Sequence, residues 1–285
     1  MNNIQEFFDS INSNFNHTSR SEDFYKELDS SLVNFISKSE FAEGNAGKQE
    51  FGPFGDLNFP FKSMGAISSL DLFGLDEILI FAFYFKNKDR YKNVADIGAN
   101  IGLHSILMSK CGWNVNSYEP DPIHVEIVKN NIAINNSKNI IINQQAVSGK
   151  NGQLDFIRVL GNTTGNHIAG AKDAPYGDLE KFTVEVIAIK EIMNSSDFIK
   201  MDVEGEESNI IVSTDSEDWK YCDMMLEVGT EENAETIYNH LSKLNVSLYS
   251  QKNNWKEISS INQVPTSYKE GSMFITSKDY FPWNH

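Results

Sequence analysis

The sequence predicts an α/β fold on a mostly parallel sheet, and three observations carry that expectation. From Val94 onward, short apolar stretches alternate with stretches of helical spacing, the pattern of parallel strands joined by crossover helices. The first strand runs into a glycine-rich turn, Asp96-Ile97-Gly98-Ala99-Asn100-Ile101-Gly102. The second ends in Tyr118-Glu119-Pro120. This puts Glu119 about 20 residues past the first glycine, where nucleotide-binding α/β units place a ribose-binding carboxylate.

The elements follow in order. Residues 1–45 are polar, with apolar side chains at helical spacing: Ile4, Phe7, Phe8 and Ile11, then Phe24, Leu28, Leu32, Phe35 and Ile36. Two helices are expected there. Residues 51–61 are aromatic and punctuated by Gly and Pro, hence a loop. Its aromatics are expected to pack against the main body; the alternative is a cap over an acceptor pocket. Residues 69–85 read as a helix with Asp76 and Glu77 on its outer face. Then come strand 94–97, helix 101–111, strand 115–119, helix 122–135 and strand 140–145. Residues 154–159 and 183–189 break the rhythm and read as an inserted antiparallel pair. They bracket a Gly-rich loop, 161–177, expected to be a long mobile tip. Strand 198–202, helix 205–213, strand 223–228 and helix 231–244 resume the pattern. Strand-like segments 246–249, 255–258 and 272–276 close the chain as an antiparallel hairpin.

Composition narrows the function classes. The 285 residues carry a formal charge of −16, from 40 acids against 24 Lys and Arg. An acidic chain without a basic run repels phosphate backbones, so no nucleic-acid partner is expected. Cys111 and Cys222 lie far apart in apolar patterns, without metal or disulfide spacing, and read as buried free thiols. The N-terminus shows no signal-peptide pattern, and the longest apolar run, residues 78–85, falls short of the about 20 residues that span a bilayer. The expectation is a soluble, cytoplasmic protein.

The turn also selects among cofactors. Asp96 suits a diphosphate poorly, because like charges repel at short range. It suits an ammonium or a sulfonium, and S-adenosylmethionine carries both, with a ribose diol and no phosphate. The pattern D-x-G-x-N-x-G therefore favours that cofactor over a dinucleotide.

A third motif, Phe198-Ile199-Lys200-Met201-Asp202-Val203-Glu204-Gly205-Glu206-Glu207, completes a set. With the turn at 96–102 and the Glu119-Pro120-Asp121-Pro122 strand end, it resembles the FkbM family of class I S-adenosylmethionine-dependent methyltransferases over residues 91–230. The resemblance implies a Rossmann-like, seven-stranded, mostly parallel sheet flanked by helices. It also implies transfer to an oxygen of a small-molecule, sugar or lipid-like acceptor. The chain is expected to divide into a helical and loop N-terminal extension, 1–90, and a methyltransferase domain, 91–285. Carried over, Asp96, Gly98, Ala99, Asn100 and Gly102 would face the methionine half of the cofactor. Glu119, followed by Pro120, would bind the ribose hydroxyls, Gln145, Ala146 and Val147 the adenine, and Asp202 and Glu204 would sit beside the methyl.

A hydroxyl acceptor needs a base. Asp202 stands at a strand's carboxyl end, where open α/β sheets bind ligands. Glu204 would start the next helix, where its charge also complements the helix dipole. Glu227 ends the following strand. His167 has a suitable intrinsic pKa but sits in a polar loop, where solvation is the ordinary state. Asp202 and Glu204 rank first, Glu227 and His167 after them. No metal is expected. The competing readings are a nucleotide-dependent oxidoreductase and a non-catalytic cofactor-binding module. The aromatic N-terminal region is a candidate surface for a homodimer.

Overall fold

The computed structural model describes residues 1, 3–65, 67–160, 166–169 and 178–283. Most of the Gly-rich loop expected to be a mobile tip, 161–165 and 170–177, lies outside the described residues. Two helices open the chain. In α1 (Ile4–Asn14) the Asn3 side chain accepts the Glu6 N–H at 3.1 Å, and Phe7, Phe8 and Ile11 turn inward. The second, α2 (Asp23–Ile36), buries Tyr25, Leu28, Leu32 and Ile36. A short hairpin, β1 (Lys48–Glu50) and β2 (Asp56–Asn58), carries Phe51 and Phe54 at its tip and Phe59 beyond it. All three rings are buried, so this loop packs rather than caps.

α3 (Leu75–Lys86) buries residues on every side, as a helix apolar all round must. That corrects the placement of its acids. Asp76 accepts hydrogen bonds from Tyr25 Oη and Gln251 Nε2 at 3.0 and 2.6 Å, and Glu77 Oε2 lies 2.9 Å from His104 Nε2. The helix has no wet face for them, and neighbouring donors take water's place.

The main sheet follows: β3 (Asn93–Ile97), α4 (Leu103–Lys110), β4 (Asn114–Tyr118), α5 (Pro122–Ile134) and β5 (Ile140–Asn143). Next comes a second sheet of β6 (Ala146–Ser148), β7 (Gly152–Val159), β8 (His167–Ile168) and β9 (Leu179–Ala188). The chain then returns through α6 (Ile189–Met193), β10 (Phe198–Met201), α7 (Glu207–Ile211), β11 (Asp223–Glu227), α8 (Glu231–Leu241), β12 (Ser247–Ser250), β13 (Lys256–Glu257) and β14 (Ser272–Thr276). The main sheet has the order β13-β12-β14-β11-β10-β3-β4-β5, parallel from β5 to β11 and antiparallel beyond. It holds eight strands rather than seven, because two-residue β13 pairs onto the edge.

The predicted strand 140–145 is in fact two. β5 ends at Asn143, and Ala146 enters the second sheet beside β9. The inserted antiparallel pair is present as β7 and β9, in register from Gly152↔Val186 to Val159↔Leu179.

Alternation along the central strands makes two cores. Val94, Phe198, Met225 and Phe274 face α3, α4 and the N-terminal aromatics; Ala95, Ile97, Ile199, Met201 and Leu226 face the other side. Phe15 stacks on Trp255 and Trp283, tying the N-terminal helices to the end of the chain. Cys222 is buried and Cys111 partly so, and both are free thiols. Among the described residues no helix is long and apolar enough to cross a membrane. Chain order reverses between β3 and β10, which opens a crevice at the carboxyl ends of the strands.

Candidate active site and cofactor cleft

The buried strand β3 ends in the glycine turn, whose backbone folds over the end of β4. Gly98 has φ +77°, and a Cβ there would lie 1.7 Å from the Asp202 carbonyl oxygen, so a side chain has no room. Asn100 follows at φ +52°, a left-handed conformation that Asn tolerates. The Gly98 and Ala99 N–H groups both donate to the Tyr118 carbonyl at 3.0 Å. The Asn100 N–H donates to Glu119 Oε2 at 2.8 Å, and the Asp121 N–H to Glu119 Oε1 at 2.9 Å. Two backbone donors thus fix the carboxylate, while each oxygen keeps a further lone pair for a ligand.

A cleft of about 640 Å³ opens beside this carboxylate. Gly98, Asn100, Glu119 and Pro120 line one part, Gln145, Ala146 and Val147 another, and Asp202, Val203 and Glu204 a third. Asp96 is fully buried and accepts the Ser105 hydroxyl at 2.5 Å. Strand alternation sends its neighbour Ile97 to the cleft and Asp96 to the α4 side, so Asp96 steadies the turn from beneath. Ala99 and Gly102 likewise shape the turn without lining the cleft.

The second sheet supplies a wall the sequence did not announce. Phe156 and Ile168, opposite each other on β7 and β8, and the adjacent Asn166 reach the cleft. Arg158 fastens this wall. Its Nε and Nη2 donate to Asp121 at 2.7 and 2.6 Å, Nη1 donates to Glu180 at 2.6 Å, and Asn166 Nδ2 donates to Asp121 at 3.0 Å. Burial pushes the Asp121 carboxyl up, but the Arg158 hydrogen bond and the Ile123 N–H outweigh it and hold the group below its ordinary range. His167 is buried in this sheet rather than solvated in a loop. It pairs opposite Ile157, and alternation turns it away from the cleft that Ile168 lines.

Beside the glycine turn the chain leaves β10 through Asp202-Val203-Glu204-Gly205. Glu204 lies in this turn at φ +57°, not at a helix start, since α7 begins at Glu207. Glu207 holds the turn by accepting the Val203 N–H at 3.2 Å and the Gly205 N–H at 3.1 Å. Burial pushes its carboxyl up to about 7, and the Asp202 charge adds to the shift. Lys200 Nζ sits 3.5 Å from Asp202 Oδ2 in the interior. Burial opposes its charge, but Asp202, Asp96, Glu77 and Glu227 prevail and leave the ammonium firmer than an ordinary lysine. Glu227 stays outside the cleft lining, and burial followed by the Asp202 and Glu77 charges drives its carboxyl far above the usual range.

Residues 96–256 match the family model described as the methyltransferase FkbM domain. The chain belongs to that family. Membership makes S-adenosylmethionine the cofactor of this FkbM methyltransferase and leaves the oxidoreductase reading without support. No curated protein matches the chain.

Solved structures similar to it include a precorrin-6y C5,15-methyltransferase from Geobacter metallireducens, 12% identical with a TM-score of 0.37 over 69% of this chain and 84% of that one. An O-methyltransferase from Bacillus cereus is 10% identical at 0.37, over 69% and 77%. The O-methyltransferase TomG from Streptomyces achromogenes is 8% identical at 0.36, over 68% and 77%. At such scores these likenesses decide nothing about this FkbM methyltransferase.

The residues present fit the cofactor. Glu119 offers a preset pair of acceptors to a diol, Gly98 allows close backbone approach, and apolar Ala146, Val147, Phe156 and Ile168 suit a purine. The Asn100 side-chain oxygen, buried without a hydrogen-bond partner among the described residues, remains available to a donor.

Sequence reasoning missed Phe156, Asn166, Ile168 and His124 in the lining, and Lys200, Glu77 and Glu207 behind it. Lys200 carried a signal: a lone cation in the apolar run Phe198–Met201 must find partners when buried.

Proposed function

We propose that this FkbM methyltransferase transfers a methyl group to a hydroxyl oxygen of a small molecule or sugar. One observation carries the reading: a single cleft joins the backbone-held Glu119 to the Asp202 carboxylate, about one third exposed at the mouth of β10. S-adenosylmethionine, when bound, supplies an electrophilic methyl. Glu119 orients the ribose, with Asn100 and Gly98 toward the methionine half and Gln145 to Val147 toward the adenine. Asp202 would take the proton from the acceptor hydroxyl as that oxygen bonds to the methyl carbon and the carbon–sulfur bond breaks, with S-adenosylhomocysteine as the leaving group.

Glu204, across the same turn, positions the acceptor. Glu227 stands outside the cleft lining, and His167 points elsewhere. Residues 91–285 would carry the transfer, with 1–90 packed on them as an extension.

Calorimetry with S-adenosylhomocysteine tests the cofactor half: a dissociation constant on the order of micromolar is expected, and no heat overturns the reading. Turnover across a panel of hydroxylated acceptors tests the rest. Asp202→Asn should lower the transfer rate roughly a hundredfold or more, with product affinity nearly unchanged. An equal loss in both would make Asp202 a binding residue.

A further inference from the structure

His124 is a cleft residue to which neither the fold nor the family motif gives a task. It stands in the first turn of α5, behind Pro122, with Asp121 as the cap accepting the Ile123 N–H at 2.8 Å. The side chain is 4% exposed, yet it lines the cleft. Its Nδ1 faces Glu119 Oε1 at 3.7 Å. Nε2, across the ring, is buried and has no hydrogen-bond partner among the described residues. A buried ring nitrogen without a partner carries a desolvation cost. Of the other residues lining the cleft, Ala146, Val147, Phe156 and Ile168 are apolar and suit a flat aromatic ring, with Gln145 and Asn166 as polar neighbours. A purine edge offers ring nitrogens as acceptors.

We propose that His124 is a cofactor-binding residue whose Nε2–H donates to a ring nitrogen of the adenine, so that Glu119 and His124 together read the adenosine. The inference rests on S-adenosylmethionine occupying this cleft. Four charges bear on the imidazole and its surroundings. Glu119 lies beside Nδ1, and Asp121 on the same turn adds a second negative charge. Arg158, from β7, opposes both, being itself tied to Asp121 and to Glu180. Burial disfavours the imidazolium, but the two carboxylates outweigh burial and Arg158 together, and the imidazole titrates above its ordinary range. The protonated ring has donors at both nitrogens, one for Glu119 and one for the cofactor. A group that binds as its protonated form supports affinity at low pH and loses it as pH rises through its own pKa.

Calorimetry with S-adenosylhomocysteine between about pH 5.5 and 8.5 tests this on wild type, His124→Phe and His124→Gln. Wild-type affinity should fall roughly tenfold or more toward the alkaline end, the value of a charge-assisted hydrogen bond. His124→Phe should bind weakly and without that slope, and His124→Gln should recover part of the affinity, also without slope. Analogues with carbon in place of purine N1, N3 or N7 locate the acceptor: one should cost wild type what His124→Phe costs, and should cost the variant nothing further. Wild-type binding that is flat with pH, or a slope that survives in His124→Gln, overturns the assignment to His124 alone. No wild-type heat at any pH overturns both this assignment and the cofactor reading beneath it.

Discussion

The two walls of the cleft are built by different means. On the cofactor side the work is done by backbone: positive-φ residues Gly98 and Asn100, and N–H groups closing on Tyr118 and Glu119. On the Asp202 side, the proposed acceptor side, it is done by side chains from separate elements. Lys200 comes from β10, Glu227 from β11, Glu77 from α3 and Glu207 from α7, all arranged around the Asp202 turn. A backbone-made wall is rigid and sensitive to single atoms. A wall of buried ionisable side chains is adjustable and sensitive to pH. The first suits a ligand common to a family, and the second leaves room for an acceptor that varies.

Three perturbations probe that contrast. The largest effect is expected from Gly98→Ala. Its methyl would meet the Asp202 carbonyl, at a φ that L-residues rarely adopt, so neither wall can yield. A loss of about 3 kcal/mol or more in urea unfolding is expected, with abolition of S-adenosylhomocysteine binding. A variant that folds and binds normally would show the turn to be softer than described.

Next comes Arg158→Met, which leaves the buried Asp121 carboxylate with the Asn166 amide and the Ile123 N–H as its donors. Breaking one side of a buried pair costs about 3 kcal/mol, and the double variant with Asp121→Asn should cost less than the sum. Additive losses in a double-mutant cycle would sever the second sheet from the cofactor wall.

The smallest effect is a pH dependence on the acceptor side. Glu207 has its carboxyl raised to about 7, above its unfolded range. Its contribution to stability is therefore complete below the ordinary carboxyl range and is lost as pH rises through about 7. Melting temperature should fall by roughly 3–6 °C across that window, and Glu207→Gln should flatten the curve. An unchanged slope in Glu207→Gln would assign the titration to another group, such as the buried Glu227.

The cofactor wall was legible because its parts are close in sequence. Asp96 to Gly102 and Glu119 to Pro122 each hold a fixed local conformation, and glycine and asparagine mark the positions where φ turns positive. Even there the direction of a side chain escaped: whether Asp96 faces the cleft or the core depends on which face of β3 the helices cover. The terminal strands and the inserted pair were equally readable, since alternation and turn residues encode them locally. The break between β5 and β6 was not, because nothing in Asn143-Gln144-Gln145 marks that the chain changes sheets between two apolar stretches.

By itself the sequence determined the alternating α/β order, the glycine turn, the acid at the end of β4 and the family to which these belong. Tertiary structure alone decided that Glu77 faces inward, that His167 faces away and that Arg158 reaches Asp121 across 37 positions. Local spacing fixes backbone conformation within a few residues. Which charges are buried together is set by contacts between distant segments, and those exist only once the sheets have packed.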